Sequence, residues 1–195
     1  HRDLHSFPTR RSSDLDGYTQ DQMPKFAADV KRLTEELFNV EPFKSRRNEF
    51  NVWVVETPCT TPGVNKPHPQ EFNRTPLSLS YGAFDSERYL LGFDNRAIRD
   101  AASAVPYEFM FIIVNERTYG GGGIYNLYAT TSADNKFGDY IFVHEFGHHF
   151  AALADEYYTS ATSYEAPSIE LEPWEANITA LKDPKTLKWK HLTDP

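Results

Sequence analysis

The sequence is poor in cysteine, in basic charge and in long apolar runs, and each shortage excludes a class of protein. A single cysteine, Cys59, among 195 residues excludes an internal disulfide framework. Lys and Arg number 20 against 28 Asp and Glu, a formal charge of −8, which argues against a nucleic-acid-binding surface. No apolar run approaches the roughly 20 residues that cross a bilayer, so we expect no membrane span. Hydrophobic residues still make up 39% of the chain, which is enough for a folded core.

The N-terminal residues differ in character from the rest of the chain. The segment HSFPTRRSSDL, from His5 to Leu15, resembles a translated sequencing adaptor and has no apolar periodicity. We therefore interpret residues 1–15 as an artefact or foreign segment and exclude them from the fold. Residues 16–195 are expected to form one domain, which the unfinished tail after Pro167 suggests is incomplete at its C-terminus.

Helical and strand-like patterns alternate along the remaining sequence. Apolar residues at helical spacing predict a helix from Asp21, and DNRAIRDAASAV predicts a second, short helix. The run YEFMFIIVNE is apolar nearly throughout, as expected of a central strand covered on both faces. The order predicts an α/β (α+β) fold with a mixed sheet and an antiparallel edge strand. The predicted elements are helices at 21–37, 94–105 and 139–152, strands at 49–57, 107–116 and 124–132, and a long loop at 58–76.

The stretch DYIFVHEFGHHFAALADEYY carries the chemistry. On a helix, His144 and His148 are one turn apart and project from one face, so both imidazoles can reach a single Zn²⁺. Glu145 is then placed to accept a proton from water activated by the metal. The opposite face is apolar and predicts the buried side of the helix, through Phe142, Phe146, Phe150 and Leu153.

The alternative is an ordinary amphipathic helix that happens to carry two histidines. The five-residue pattern should arise by chance in roughly one chain of this length in a few hundred, so we favour the metal site. His149 lies about 100° around the helix from His148 and cannot share its ion. We expect His149 to have a structural or supporting role.

Two histidines do not complete a catalytic zinc site, so a third protein ligand is expected. Asp155 follows His148 by seven residues, and on a continuous helix it would lie about 16 Å along the axis from His144. The helix must therefore end after His148 and the chain must turn back. In metzincins a glycine makes this bend three residues after the second histidine, and a ligand follows three residues later. Ala151 and Ala154 occupy those positions here.

The motif HEFGHHFAALADEYY resembles that of the bacterial IgA-peptidase family of zinc metallopeptidases, which couples HEFGH to a nearby L-x-DEY. SERYLLGFDNRAI and EPWEANITALKDPKTLKWKHL are similar to the same family. The resemblance implies a zincin-like, metzincin-like catalytic domain whose active-site helix carries His144, Glu145 and His148. It implies Asp155 as the third ligand and Glu145 as the catalytic base. Glu156 is the reserve ligand, whereas Glu165 or Glu170 would indicate a thermolysin-like arrangement.

The resemblance predicts a zinc-dependent endopeptidase that acts on protein or peptide substrates and is secreted or held at the bacterial surface or in the periplasm. It also implies a methionine turn, which we expect beyond Pro195, because Met23 and Met110 both precede the motif. The segment GGGGIYNLYATT is either an edge strand that pairs with substrate or a plain hairpin connection. Tyr157 and Tyr158 are candidate donors to an oxyanion, although core packing is the simpler interpretation. The rival functions are a zincin-like binding module without catalysis and a purely structural zinc site.

Overall fold

The computed structural model describes residues 9–157, 172–181 and 183–193 of the chain. Its main element is a five-stranded sheet in the order β2-β1-β5-β7-β6, and a two-stranded antiparallel ribbon is formed by β3 and β4. The strands are β1 (Thr9–Asp16), β2 (Phe50–Val54), β3 (Leu79–Ser80), β4 (Leu91–Gly92), β5 (Phe109–Val114), β6 (Gly121–Ile124) and β7 (Tyr128–Ser132). The α-helices are α1 (Met23–Leu37), α2 (Asn95–Ala102), α3 (Gly138–Ala151) and the short α4 (Lys190–Thr193).

The sheet is mixed, as the sequence predicts. Strands β1, β2, β5 and β7 run parallel to one another, and β6 pairs with β7 in the antiparallel direction at the edge. Helix α1 has the predicted apolar stripe, and all four residues of that stripe, Phe26, Val30, Leu33 and Leu37, are buried. Helix α2 begins after Asp94, whose side chain accepts a hydrogen bond from the N–H of Ala97.

Strand β5 is covered on both faces, because successive side chains of a strand point in opposite directions. Phe111 and Ile113 belong to the core formed with α1 and α3. Met110, Ile112 and Val114 belong to a second core on the other face, built by α2 and the β3–β4 region. The molecule therefore has a helical layer with α1 and α3, a central sheet, and a more irregular layer that includes α2.

Residues 9–15, which we expected to lie outside the fold, are part of β1. This strand pairs in parallel with β2 on one side and with β5 on the other. Backbone N–H and C=O groups make these pairings, so membership of the sheet does not identify the origin of the residues. The foreign origin of residues 1–15 stays a prediction, and residues 1–8 lie outside the described ranges.

The glycine run is a strand, and the predicted single strand at 124–132 is wrong. Three of the four glycines belong to β6, a turn follows at Tyr125–Leu127 with Asn126 at φ 57°, and β7 begins at Tyr128. An added Cβ would lie 2.4 Å from the ring of Tyr81 at Gly120, and 2.6 Å from a methyl group of Leu91 at Gly122. The run is therefore required by close packing on neighbouring side chains.

Helix α3 matches the predicted motif helix to within one residue at each end. Phe142 and Phe146 are buried against the sheet and Phe150 packs at the edge of the same core, as predicted. Leu153 does not continue this buried face. It lies beyond the end of the helix and is 37% exposed.

His149 joins α3 to two strands. The N–H of Met110 in β5 donates to Nε2 at 3.1 Å, so Nδ1 carries the ring proton and faces the carbonyl oxygen of Ile124 at 3.0 Å. The side chain is 1% exposed. This is the structural role expected for His149, and it fixes the rotation of α3 about its own axis.

Replacement of His149 by Phe should lower the free energy of unfolding by about 1–3 kcal/mol. The change leaves the buried N–H of Met110 without its acceptor, whereas the carbonyl of Ile124 loses one donor and keeps the N–H of Leu127. Urea denaturation of the metal-free protein measures this, and His191→Phe on the exposed face of α4 is the matched control. Equal stability of the two variants would contradict the anchoring role of His149.

Candidate metal centre

Helix α3 brings the two motif histidines together. His144 Nε2 and His148 Nε2 are 3.1 Å apart, and their side chains are 24% and 17% exposed. Both rings lie outside the core, because His149 and Phe146 occupy the buried side of the helix, and His148 lies next to Gly123 of the edge strand β6. The rings therefore stand at the wall of a cleft.

The chain turns back directly after α3. Ala152 has the left-handed conformation, with φ 55° and ψ 37°. Its N–H donates to the carbonyl of His148 at 3.0 Å, and the N–H of Leu153 is 3.4 Å from the carbonyl of Gly147. The left-handed residue follows His148 by four positions and precedes Asp155 by three. Asp155 is thus one residue later than the third ligand of the metzincin pattern because the bend is also one residue later.

The bend carries Asp155 to the two histidines. Its Oδ1 atom is 3.1 Å from His144 Nε2 and 3.1 Å from His148 Nε2. The three atoms form a nearly equilateral triangle. Ligand atoms about 2.0–2.1 Å from one tetrahedral Zn²⁺ would be about 3.3 Å apart, so the spacing fits a single ion.

The protonation pattern of the triangle also fits a cation. His148 Nδ1 donates to the carbonyl of Leu153, which leaves a lone pair on Nε2 when the ring is neutral. Asp155 Oδ1 is buried and has no hydrogen-bond donor when both imidazoles are neutral and carry their protons on Nδ1. Three lone pairs then face one another at 3.1 Å. A metal ion or a proton has to lie between them, and outer hydrogen bonds such as that of His148 are typical of metal-binding histidines.

In the metal-free protein a proton takes this role. Burial disfavours the charged His148 ring, but hydrogen bonds to Asp155 and Leu153 and the charge of Glu145 raise its pKa to about 9. Burial acts against the charged form of Asp155 as well. Its hydrogen bonds with His144 and His148 outweigh this and hold its pKa far below the ordinary value. Both shifts have the same cause, which is the close approach of donor atoms.

Glu145 lies beside this triangle, between α3 and β6. A Cβ at Gly121 would be 3.1 Å from Glu145 Oε1, and a Cβ at Gly123 would be 2.4 Å from the Glu145 carbonyl oxygen. The glycines therefore make room for the helix and for the carboxylate. Burial raises the pKa of Glu145 to about 7, although the charges of His144 and His148 lower it. The possible metal-binding atoms of His144, Glu145 and His148 lie within 4.8 Å of one another. Asp155 Oδ1 lies 3.1 Å from both histidines.

The other candidates lie away from the triangle or outside the described ranges. Glu156 Oε1 accepts a hydrogen bond from Asn177 Nδ2 at 2.8 Å, which directs its side chain toward Asn177. Met23 and Met110 are buried core residues. Residues Tyr158, Glu165, Glu170 and Pro195 lie outside the described ranges, and so does any methionine turn beyond them.

Tyr157 is part of the site's surroundings rather than of the core. Its ring stacks on His144 with centroids 6.0 Å apart, it hydrogen-bonds Asp155, and it is 40% exposed. The guanidinium of Arg88 lies 5.8 Å from the centre of the same ring. Sequence reasoning missed Arg88 and Asn177, because no local pattern indicates which distant segments reach the cleft.

The triangle lies between two cavities. One, of about 200 Å³, is lined by β6, Tyr125, Glu145, the 152–155 segment and Trp174. The other, of about 390 Å³, is lined by Tyr140, His144, Tyr157 and Asn177. His148 and Leu153 line both. A chain-like ligand thus has room on each side of the candidate metal position.

Fold and donor set together define the class: a mixed α/β protein with a candidate metal centre in an open cleft. The family model described as IgA Peptidase M64 matches residues 13–195, and the chain belongs to this family of peptidases. Peptidases of this family are metallopeptidases, and the His144, Glu145 and His148 group is able to hold a metal ion. A search of curated proteins finds no match to the chain. Within residues 9–157, 172–181 and 183–193, no helix has the length and apolarity needed to cross a membrane.

The left-handed bend gives a test of the local geometry. Ala152→Gly should leave the free energy of unfolding unchanged or raise it by up to about 1 kcal/mol, because the strain of about 1–2 kcal/mol exceeds the added chain entropy. Ala151→Gly, one residue earlier at the end of α3, should instead lower it by about 0.5–1 kcal/mol. Urea denaturation without metal compares them, and an equal loss in both variants would rule out the bend at Ala152.

Proposed function

We propose that the protein is a zinc-dependent endopeptidase, with His144, His148 and Asp155 as metal ligands and Glu145 as catalytic base. The observation that supports it best is the triangle of donor atoms, 3.1 Å apart, with Glu145 beside it in an open cleft. The family supports peptide hydrolysis independently of this geometry. Zinc is favoured over harder cations because two of the three donors are imidazole nitrogens.

Bound in this triangle, Zn²⁺ would supply Lewis acidity that polarises the scissile carbonyl and makes water more acidic. The Glu145 carboxylate accepts the proton of the attacking water and passes it to the amine that leaves. Its place between α3 and the glycines of β6 holds the carboxylate still and limits its contact with solvent. His148 keeps Nε2 toward the ligand position through its Nδ1 bond to Leu153.

The substrate is proposed to add to the outer edge of β6. Hydrogen bonds alternate along the β6–β7 pair, and the bond from Ser132 N–H to the Gly120 carbonyl sets their phase. Because only every second residue of β6 bonds to β7, counted from Gly120, the N–H and C=O of Gly123 point away from β7. They lie beside the cavity that Gly123 lines. Gly121 is already bonded on that edge to Arg88 and Leu90. An extended peptide therefore has a pairing position at Gly123, next to Glu145.

The other functions account for less of the structure. A binding module would use the cleft but has no need of a buried carboxylate beside three metal-binding donors. A structural zinc site would require a fourth protein ligand. Within the described ranges the group of potential ligands on α3 contains no cysteine.

The family resemblance supports export to the bacterial surface, the periplasm or the medium, and it supports a protein or peptide substrate. It does not identify immunoglobulin as that substrate. Fractionation of cells that express the natural gene tests the location. Confinement of the protein to the cytoplasm would contradict export.

Glu145→Gln should reduce hydrolysis of a generic protein substrate such as casein by about 10²–10⁴-fold, because the amide cannot accept the proton of water. Its zinc dissociation constant should remain close to that of the wild type, since the ligands are unchanged. Glu35→Gln, on the exposed face of α1, serves as the control for both measurements. Turnover that survives in Glu145→Gln would eliminate Glu145 as the base.

Asp155→Asn should weaken zinc binding by at least about 100-fold, more than the loss of an outer hydrogen-bond partner. Glu156→Gln should leave it unchanged, because its side chain already faces Asn177. Competition with a chromophoric chelator gives both constants. The reverse order of the two variants would make Glu156 the third ligand.

A further inference from the structure

Asn177 binds the backbone next to the third proposed ligand through every polar atom of its amide. Its Oδ1 accepts from the N–H of Ala154 at 2.8 Å, and its Nδ2 donates to the carbonyl of the same residue at 2.8 Å. The second Nδ2 proton goes to Glu156 Oε1 at 2.8 Å. A flipped amide would oppose donor to donor and acceptor to acceptor, so the network fixes its orientation.

These bonds hold both sides of Asp155. Ala154 precedes it and Glu156 follows it, and the segment from Ala152 to Tyr157 has no helix or strand of its own. His148 holds the preceding carbonyl, that of Leu153, from the opposite side. Without Asn177, the position of Asp155 would depend on the bend, on the ring of His148 and on the contacts of the Asp155 side chain itself.

The loop that carries Asn177 is itself organised by one ammonium group. Lys188 Nζ donates to the carbonyl oxygens of Pro173, Glu175 and Ile178, which lie on both sides of Asn177 in the sequence. It also pairs with the Glu172 carboxylate at 3.2 Å. Three donors on one ammonium group satisfy three carbonyls of a loop that lacks regular structure. The contacts of Lys188 therefore hold in place the loop from which the amide of Asn177 extends.

We propose that Asn177 is a positioning residue of the metal centre, whose amide clamps the backbone of Ala154 before Asp155 and the side chain of Glu156 after it, and so sets the place of the third ligand. The inference rests on the proposed metal centre, but it concerns a residue outside the motif, 22 positions beyond Asp155. The sequence Asn177-Ile178-Thr179 has the pattern of a glycosylation acceptor. In this fold the amide of Asn177 is already hydrogen-bonded to Ala154 and Glu156.

The first variant is Asn177→Ala, compared with the wild type in zinc affinity and in hydrogen exchange. We expect a zinc dissociation constant about 10–100-fold higher, the usual effect of losing a partner that orients a ligand. In the metal-free protein the Ala154 amide should exchange on the order of 10-fold faster, because it loses its acceptor. Asn95→Ala, an exposed asparagine at the start of α2, is the matched control and should change neither quantity.

A second set of variants separates the clamp from a general loss of folding. Asn177→Asp keeps the acceptor for Ala154 N–H but turns an oxygen toward the Ala154 carbonyl and Glu156, so zinc affinity should fall as in Asn177→Ala. Adding Glu156→Gln restores a donor opposite that oxygen. The double variant should recover at least about 3-fold of the lost affinity, which a merely unfolded loop would not do.

The outcomes are distinct. A wild-type protein that takes up no Zn²⁺ would overturn the metal centre and the positioning role together. Zinc binding that is equally tight in the wild type and in Asn177→Ala, with unchanged exchange at Ala154, would overturn the clamp alone. Weaker binding with faster exchange, and recovery in the double variant, is the result that the clamp requires.

Discussion

The reversal of the chain after α3 is the constraint on which the site depends. A helix that continued through Asp155 would place that carboxylate about 16 Å along the axis from His144. The structure ends α3 at Ala151 and puts Ala152 in the left-handed conformation, which costs a non-glycine residue about 1–2 kcal/mol. Backbone bonds from Ala152 and Leu153, together with the ring of His148, offset this cost. One of the proposed ligands therefore helps to stabilise the turn that delivers another.

The rotation of α3 is a second requirement, and it is met from the sheet. His149 bonds to β5 and to the end of β6, which leaves His144 and His148 on the cleft side. The closeness of helix and strand depends on Gly121 and Gly123, since a Cβ at either would collide with α3. The same glycines thus keep Glu145 between helix and edge strand, beside the donor atoms. The contact of α3 with Gly121 and Gly123 therefore both packs the helix on the sheet and positions the proposed catalytic base.

The sequence predicted those features of the fold that depend on neighbouring residues in the chain. The apolar stripe of α1, the doubly covered β5 and the histidine pair of α3 all follow from side-chain periods of 3.6 or 2. The sequence also showed that a bend must follow His148, but alanine has no preference for the left-handed region, so its position was not predictable. The segment GGGGIYNLYATT was left open between an edge strand and a hairpin connection, and the break between β6 and β7 was not predicted, because glycine is a poor strand former. Glycine is required in this run because Tyr81, Ile141 and Leu91, which are distant in sequence, occupy the space that a Cβ would need.

The proposed clamp would couple metal binding at Asp155 to the order of the loop that carries Asn177, because Asn177 holds the residues on either side of Asp155. If the clamp strengthens zinc binding by a given factor, bound zinc must strengthen the clamp by the same factor, because coupling free energies are reciprocal. The Ala152–Tyr157 segment has no regular hydrogen-bond ladder, so it belongs to the least stable part of the fold without such partners. The proposed metal ion and Asn177 would act on the same short segment, because Asp155 lies between Ala154 and Glu156, the two residues that Asn177 holds. The side chain of Asp155 also approaches His144 and His148, so this segment is held from α3 as well as from the loop that carries Asn177.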